Sequence, residues 1–204
     1  MCYLRLEQIV PHRLTLSAGQ SLRQLKTEFA DIRKTFHSRY VRLYGACDRD
    51  GFYDDVIEAA WDNTLGVHAL IWVSLHAGCT SISSLILSQF GFDDTDQWIG
   101  RRDSLLRTLQ SNPKAKFVTR GVQFGSEPLF DHVLPPDQLA AQVLSARKDL
   151  STLGIPVTVS ELAYGYQENE GFQSVLDAVD FINIHMLPFF SPKASTGKDS
   201  PSSE

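Results

Sequence analysis

Three cysteines in 204 residues, Cys2, Cys47 and Cys79, are too few and too far apart for a disulfide framework or a CxxC zinc site. Basic blocks are also missing. Lys and Arg total 19 against 24 Asp and Glu, a net charge of −5, so the chain lacks the clustered cations that phosphate backbones require. Nucleic acid is therefore excluded as a partner. The most apolar-looking run, Ile82–Phe90, is interrupted by Ser and Gln and is far short of the roughly 20 residues of a bilayer span. Neither GxGxxG nor GxxxxGK[ST] follows any apolar run, which argues against a nucleotide cofactor. The six histidines are scattered without metal-ligand spacing, so no metal and no other cofactor is expected. Met1–Leu14 has no apolar h-region or small-residue cleavage site, so no signal peptide is visible.

What is present is alternation. Leu22, Leu25, Phe29, Ile32 and Phe36 recur at helical spacing from Ser21 onward. Tyr40–Ala46 reads as a strand, Asp54–Leu65 as a helix stopped by Gly66, and Val67–Val73 as a strand buried on both faces. The pattern repeats with a helix at Asp96–Gln110, a strand at Ala115–Phe124, and a helix opened by Pro135-Pro136 and closed at Gly154. A strand at Pro156–Ser160, a helix at Gly171–Val179 and a strand at Asp180–Leu187 complete it. Apolar strands alternating with helices predict a parallel sheet covered by helices, an α/β fold of the (β/α)8 type. Residues 1–19 match no pattern, 20–190 form the predicted domain, and 191–204, rich in Ser, Lys and Pro, read as a disordered tail.

In such barrels chemistry sits at the C-terminal ends of the strands. Those ends carry Asp48, Trp72, Glu127, Glu161 and His185, with Tyr44 nearby. Paired carboxylates suit glycoside hydrolysis: one protonates the departing oxygen while the other meets the positive charge at the anomeric carbon. The indole of Trp72 offers a flat face to a sugar ring. The bland alternatives are a solvated loop residue for Glu161, a loop cap for Asp48, and core residues for Tyr44, His185 and His68.

Three stretches together resemble glycoside hydrolase family 17, in particular its fungal β-1,3-glucanases and cell-wall glucanases. They are Val41-Arg42-Leu43-Tyr44-Gly45-Ala46-Cys47-Asp48, Gly125-Ser126-Glu127, and Val175–Asp180 continuing through Phe181–Met186 into Leu187-Pro188-Phe189-Phe190. The resemblance implies a partial (β/α)8 (TIM) barrel of about five parallel strands, with the first strand and the last two βα units missing. It implies retaining hydrolysis or transfer on a cell-wall β-glucan polysaccharide or oligosaccharide, with Glu127 as acid/base. Tyr44, Asp48, Trp72, Glu161 and His185 would then be substrate-binding. The family nucleophile, a Glu on the seventh strand, has no counterpart here, so this chain is expected to be inactive as it stands. A non-catalytic carbohydrate-binding remnant, or a gene product without function, is the alternative. The resemblance also implies secretion or a place in the cell wall.

One segment breaks the pattern. Val73–Gln89 carries no formal charge and is rich in Ser, and its removal rejoins Ile71-Trp72 to Phe90-Gly91. Its first two residues, Val-Ser, and its last, Gln, fit the codons at the ends of a short retained intron. A genuine barrel-loop insertion is the alternative.

Overall fold

The computed structural model describes residues 20–44, 49–71, 73 and 97–186. Among these, five strands form one sheet: β1 Tyr40–Arg42, β2 Gly66–Ile71, β3 Thr119–Phe124, β4 Val157–Leu162 and β5 Asn183–His185. The spatial order is β1-β2-β3-β4-β5, and each of the four pairs is parallel. Parallel neighbours need a crossover, and helices supply it. They are α1 Leu22–Phe36, α2 Phe52–Asp62, α3 Gln97–Ser111, α4 Ala115–Val118, α5 Pro136–Leu150, α6 Ala163–Glu168 and α7 Phe172–Ala178. The expected parallel alternation is the observed one.

Local sequence explains the helix ends. Ser21 accepts from the Gln24 backbone N–H while the Gln24 side chain accepts from the Ser21 N–H, a reciprocal capping box that starts α1. Pro136 stands at the start of α5, where its missing N–H costs nothing, and Gly154 takes a left-handed φ of 66° after the closing turn. The apolar stripe of α1 buries Leu25, Phe29 and Ile32 in a core shared with Val67, Ala69 and Ile71 of β2 and Val122 and Phe124 of β3.

The opposite face of the sheet is polar and curved. The Arg42 guanidinium on β1 donates to Ser160 Oγ on β4 at 2.8 Å. Two strands lie between them, so a flat sheet would hold them roughly 14 Å apart, at about 4.8 Å per spacing. An arginine and a serine side chain together do not reach that far. The sheet curls towards this face, as a barrel wall does.

Several boundaries differ from the sequence reading. Residues 115–118 form a helical turn, not strand, and leave Phe117 exposed; β3 begins at Thr119. The strand at Pro156–Ser160 continues to Leu162 and places Glu161 inside it, and α6 was not anticipated. The first strand ends at Arg42 rather than Ala46, and the last starts at Asn183. Residues 1–19, 74–89 and 191–204, and with them the questions of the insertion and the tail, lie outside the described residues. Val73 alone of the inserted segment is described, and it is buried.

Phe124 is fully buried in β3, between two parallel neighbours. Phe124→Ala is expected to cost about 3–5 kcal/mol of stability, through lost burial and the cavity left behind. Urea unfolding would register it as a lower midpoint at unchanged slope.

Candidate functional site

The site lies beyond the C-terminal end of β3. Gly125 turns the chain at φ 65°, and the Gly125 N–H donates to Ile71 O at 2.9 Å, keeping the turn tied to β2. Glu127 follows with φ 63°, a left-handed backbone that non-glycine residues seldom adopt and that tends to occur at functional positions. It is held there by main-chain bonds: Glu127 N–H donates to Ser160 O at 2.7 Å, and Glu127 O accepts from Asp131 N–H at 2.9 Å.

The Glu127 side chain meets His185 of β5, with Oε1 2.8 Å from Nδ1. On the other side of the ring, His185 Nε2 is 2.6 Å from Ser160 Oγ. Ser160 Oγ also accepts from Arg42 Nη2 at 2.8 Å and from Asn183 Nδ2 at 3.2 Å. A hydroxyl has one proton and two lone pairs. With both lone pairs taken, its proton goes to Nε2, which leaves Nδ1 protonated and donating to Glu127. The network thereby assigns one tautomer to His185. The Glu127 side chain is 24% exposed and that of His185 9%, so the carboxylate opens to solvent while its support is covered.

Arg42, at the base of this relay, lies 5.8 Å from the Tyr44 ring centroid. Burial lowers its pKa from the usual guanidinium range, against the raising influence of Tyr44 and Glu127. Its Nε and the Nε2 of Gln123 are buried without a hydrogen-bond partner, although Gln123 Oε1 accepts from Asn183 at 2.7 Å. These orphan donors lie on the curved face, among the relay residues. His68, also on this face, is driven towards its neutral form by burial and then by Arg42 and Arg120.

Glu161 is not on the rim. Along β4, Val157, Val159 and Glu161 share one face and Thr158 and Ser160 the other, because side chains alternate along a strand. It is Ser160 that points to the curved face. Glu161 is fully buried on the helix side. Its Oε2 accepts from the Leu129 N–H at 2.6 Å and the Phe130 N–H at 3.4 Å, and its Oε1 from the Leu162 N–H at 2.8 Å. Gly165 of α6 packs so closely on the carboxylate that any Cβ there would collide with it. Burial raises the Glu161 pKa to about 7, against the lowering effect of the three amides, with the charge of Glu127 adding to the rise. Glu161 thus fastens the 127–131 turn from beneath.

Of the residues expected at the site, the structure brings Glu127, His185 and Tyr44 to the same rim and withdraws Glu161 from it. Asp48 and Trp72 lie outside the described residues. Arg42, Ser160 and Asn183 were not singled out from sequence. The available signal was polar side chains at inward-facing positions of otherwise apolar strands. Among the described residues no group of three His, Cys, Asp or Glu is placed to hold a metal ion, and no helix is long and apolar enough to cross a membrane.

Solved structures share this architecture. A β-1,3-glucanosyltransferase of glycoside hydrolase family 17 from Rhizomucor miehei superposes with a TM-score of 0.61 over 82% of this chain, at 17% identity. An active-site mutant of the Rhizomucor miehei enzyme, in complex with laminaritriose, gives the same values. An endo-1,4-β-mannanase from Rhizomucor miehei has a TM-score of 0.51 over 84% of this chain, at 14% identity. The fold is a partial TIM barrel. The chain spans 52% of the length of the glucanosyltransferase and 65% of that of the mannanase. No family model matches the sequence, and no curated protein matches it as a relative.

The raised pKa of Glu161 makes stability depend on pH. The folded form holds the proton more tightly than the unfolded chain, so the folded state is favoured below the unfolded value near 4.5 and loses that advantage as pH rises towards 7. The loss is on the order of 2–3 kcal/mol. Thermal midpoints of the wild type are expected to fall between pH 4.5 and 7.5. Glu161→Gln, which cannot ionise, should lose that slope and be less stable at the acidic end, because its amide NH2 confronts a backbone N–H. A slope unchanged in the variant would show that another group titrates there.

Proposed function

We propose that residues 20–190 carry the acid/base half of a retaining glycosidase site that acts on β-1,3-glucan. The observation that carries this reading is Glu127 itself: a partly exposed carboxyl at a barrel strand end, its Oε1 held by the His185 N–H and its other oxygen free to carry a proton. Such a group can protonate a glycosidic oxygen as the bond to the anomeric carbon breaks, and then take a proton from water or an acceptor hydroxyl. His185 is a positioning residue in this scheme. Tyr44 and Trp72 supply aromatic faces and Asp48 polar contacts to the sugar. The sequence motifs and the barrel shared with a family 17 glucanosyltransferase support a fungal cell-wall β-glucan as substrate, and hence secretion or a cell-wall setting.

The second carboxylate is the weak point of the chemistry. A retaining site needs two carboxyl groups about 5–5.5 Å apart across the sugar. Among the described residues, Asp131 follows Glu127 on the same turn, and Glu161 has both oxygens engaged by backbone amides. Neither faces Glu127 across an open cleft. The described residues can therefore bind and protonate a glucan but place no second carboxyl group across the cleft to attack it.

Azide tests this directly, because it can replace a missing carboxylate nucleophile. It attacks the anomeric carbon, the glycosidic bond breaks, and Glu127 protonates the leaving oxygen. With laminaritriose alone, the chain is expected to release no sugar. With azide it should form a glucosyl azide, and Glu127→Gln should abolish that product. Binding of laminaritriose with no azide product would favour a carbohydrate-binding remnant instead. Turnover without azide, lost on Glu161→Gln, would overturn the assignment of Glu161 as a structural carboxylate.

A further inference from the structure

The end of the sheet opposite Glu127 carries a feature that the glucan reading does not use. Around the N-terminal ends of β1, β2 and β3 is a pocket of about 710 Å3, within the range of small-molecule sites. Its lining includes Arg33, Arg39 and Arg120, with the rings of Tyr40, Trp61 and Phe117, and no acidic residue. None of the three arginines forms an ion pair among the described residues. In a chain with more acids than bases, three guanidiniums share one cavity without a counter-charge.

Local packing holds the walls in place. Tyr40 and Arg120 close over the backbone of Gly66, where an added Cβ would come within 2.6 Å of the Tyr40 ring and 2.8 Å of Arg120 Cγ. Arg33 is anchored by donating to Ser38 O at 2.8 Å. Trp61 and Phe117 meet at 6.1 Å between centroids, tilted by 59°, and remain 45% and 57% exposed. Lys114, which caps the Trp61 face at 5.6 Å, is neutralised by Glu58. The three arginines have no such partner among the described residues, and Lys116, with Nζ 5.0 Å from the Phe117 ring centroid, adds a further cation at the edge of the pocket. Guanidinium is the side chain best matched to phosphate, by paired N–H donors, and a phosphate group brings up to two charges where a carboxylate brings one.

We propose that this pocket is a second binding site, for a phosphorylated ring compound whose charge lies on Arg39 and Arg120 and whose ring lies against Trp61 and Phe117. It stands apart from the glucan reading and shares no residue with it.

The test is calorimetric titration of the 204-residue chain with ADP and with inorganic pyrophosphate, which has similar charge and no ring. Both should bind, ADP about fivefold more tightly because of the aromatic wall. Arg39→Gln with Arg120→Gln should weaken both roughly tenfold or more. Trp61→Leu should remove only the preference for ADP, and Glu127→Gln should change neither. Raising salt from low to physiological concentration should weaken both ligands. Circular dichroism checks folding. If the double arginine variant does not fold, each single variant should still cost about threefold. Absence of binding by both probes would overturn the proposal. So would affinity indifferent to the arginines and to salt, or loss of binding in Glu127→Gln.

Discussion

A single hydroxyl organises the rim. Ser160 Oγ receives N–H groups from Arg42 and Asn183 and has one proton to give, which goes to His185. Three strands, β1, β4 and β5, are thereby committed to one arrangement. The same proton fixes the imidazole so that its other nitrogen can only donate, and Glu127 is the acceptor. The buried position of Ser160 and the exposure of Glu127 divide the labour. Desolvated groups define geometry, and the carboxyl of Glu127 stays partly open to solvent. The arrangement also requires curvature, since Arg42 reaches Ser160 only because the sheet bends around the polar face.

Beneath the rim, Glu161 does for the main chain what His185 does for the side chain. A buried carboxylate is costly unless hydrogen-bonded, and this one accepts from three backbone amides, that of buried Leu129 among them. Two of them belong to the turn that holds Glu127 at a positive φ. Adjacent residues on β4 thus serve opposite faces of the sheet in support of the same group, Ser160 from the curved side and Glu161 from the helix side.

Much of this was legible in the sequence, for identifiable reasons. Strand and helix order follows from burial on both faces of a parallel sheet, which leaves nearly continuous apolar runs such as Val67–Val73. The C-terminal strand ends followed from that order, and with them Glu127 and His185. Glu161 was misplaced because its location turned on whether β4 stopped at Ser160 or continued to Leu162. Two more residues of regular pairing reverse nothing in composition but decide which face a side chain takes. Phe117 was read as strand because aromatics favour strands, whereas Asn112 and Lys114 set up a helical turn before Thr119. The Arg42–Ser160 bond joins residues 118 positions apart, and no local pattern announces it.

Strand order along the sheet is identical to strand order along the chain. Each newly made strand therefore finds its partner already present, in the strand synthesised just before it. No strand must wait for a distant one or insert between two that have already paired. Such a sheet can be assembled vectorially as the polypeptide emerges from the ribosome, one βα unit docking on the last. The exception is the polar relay, whose members β1, β4 and β5 come together only after the last strand arrives. Backbone architecture can thus form early, whereas the rim around Glu127 is completed only when β5 docks.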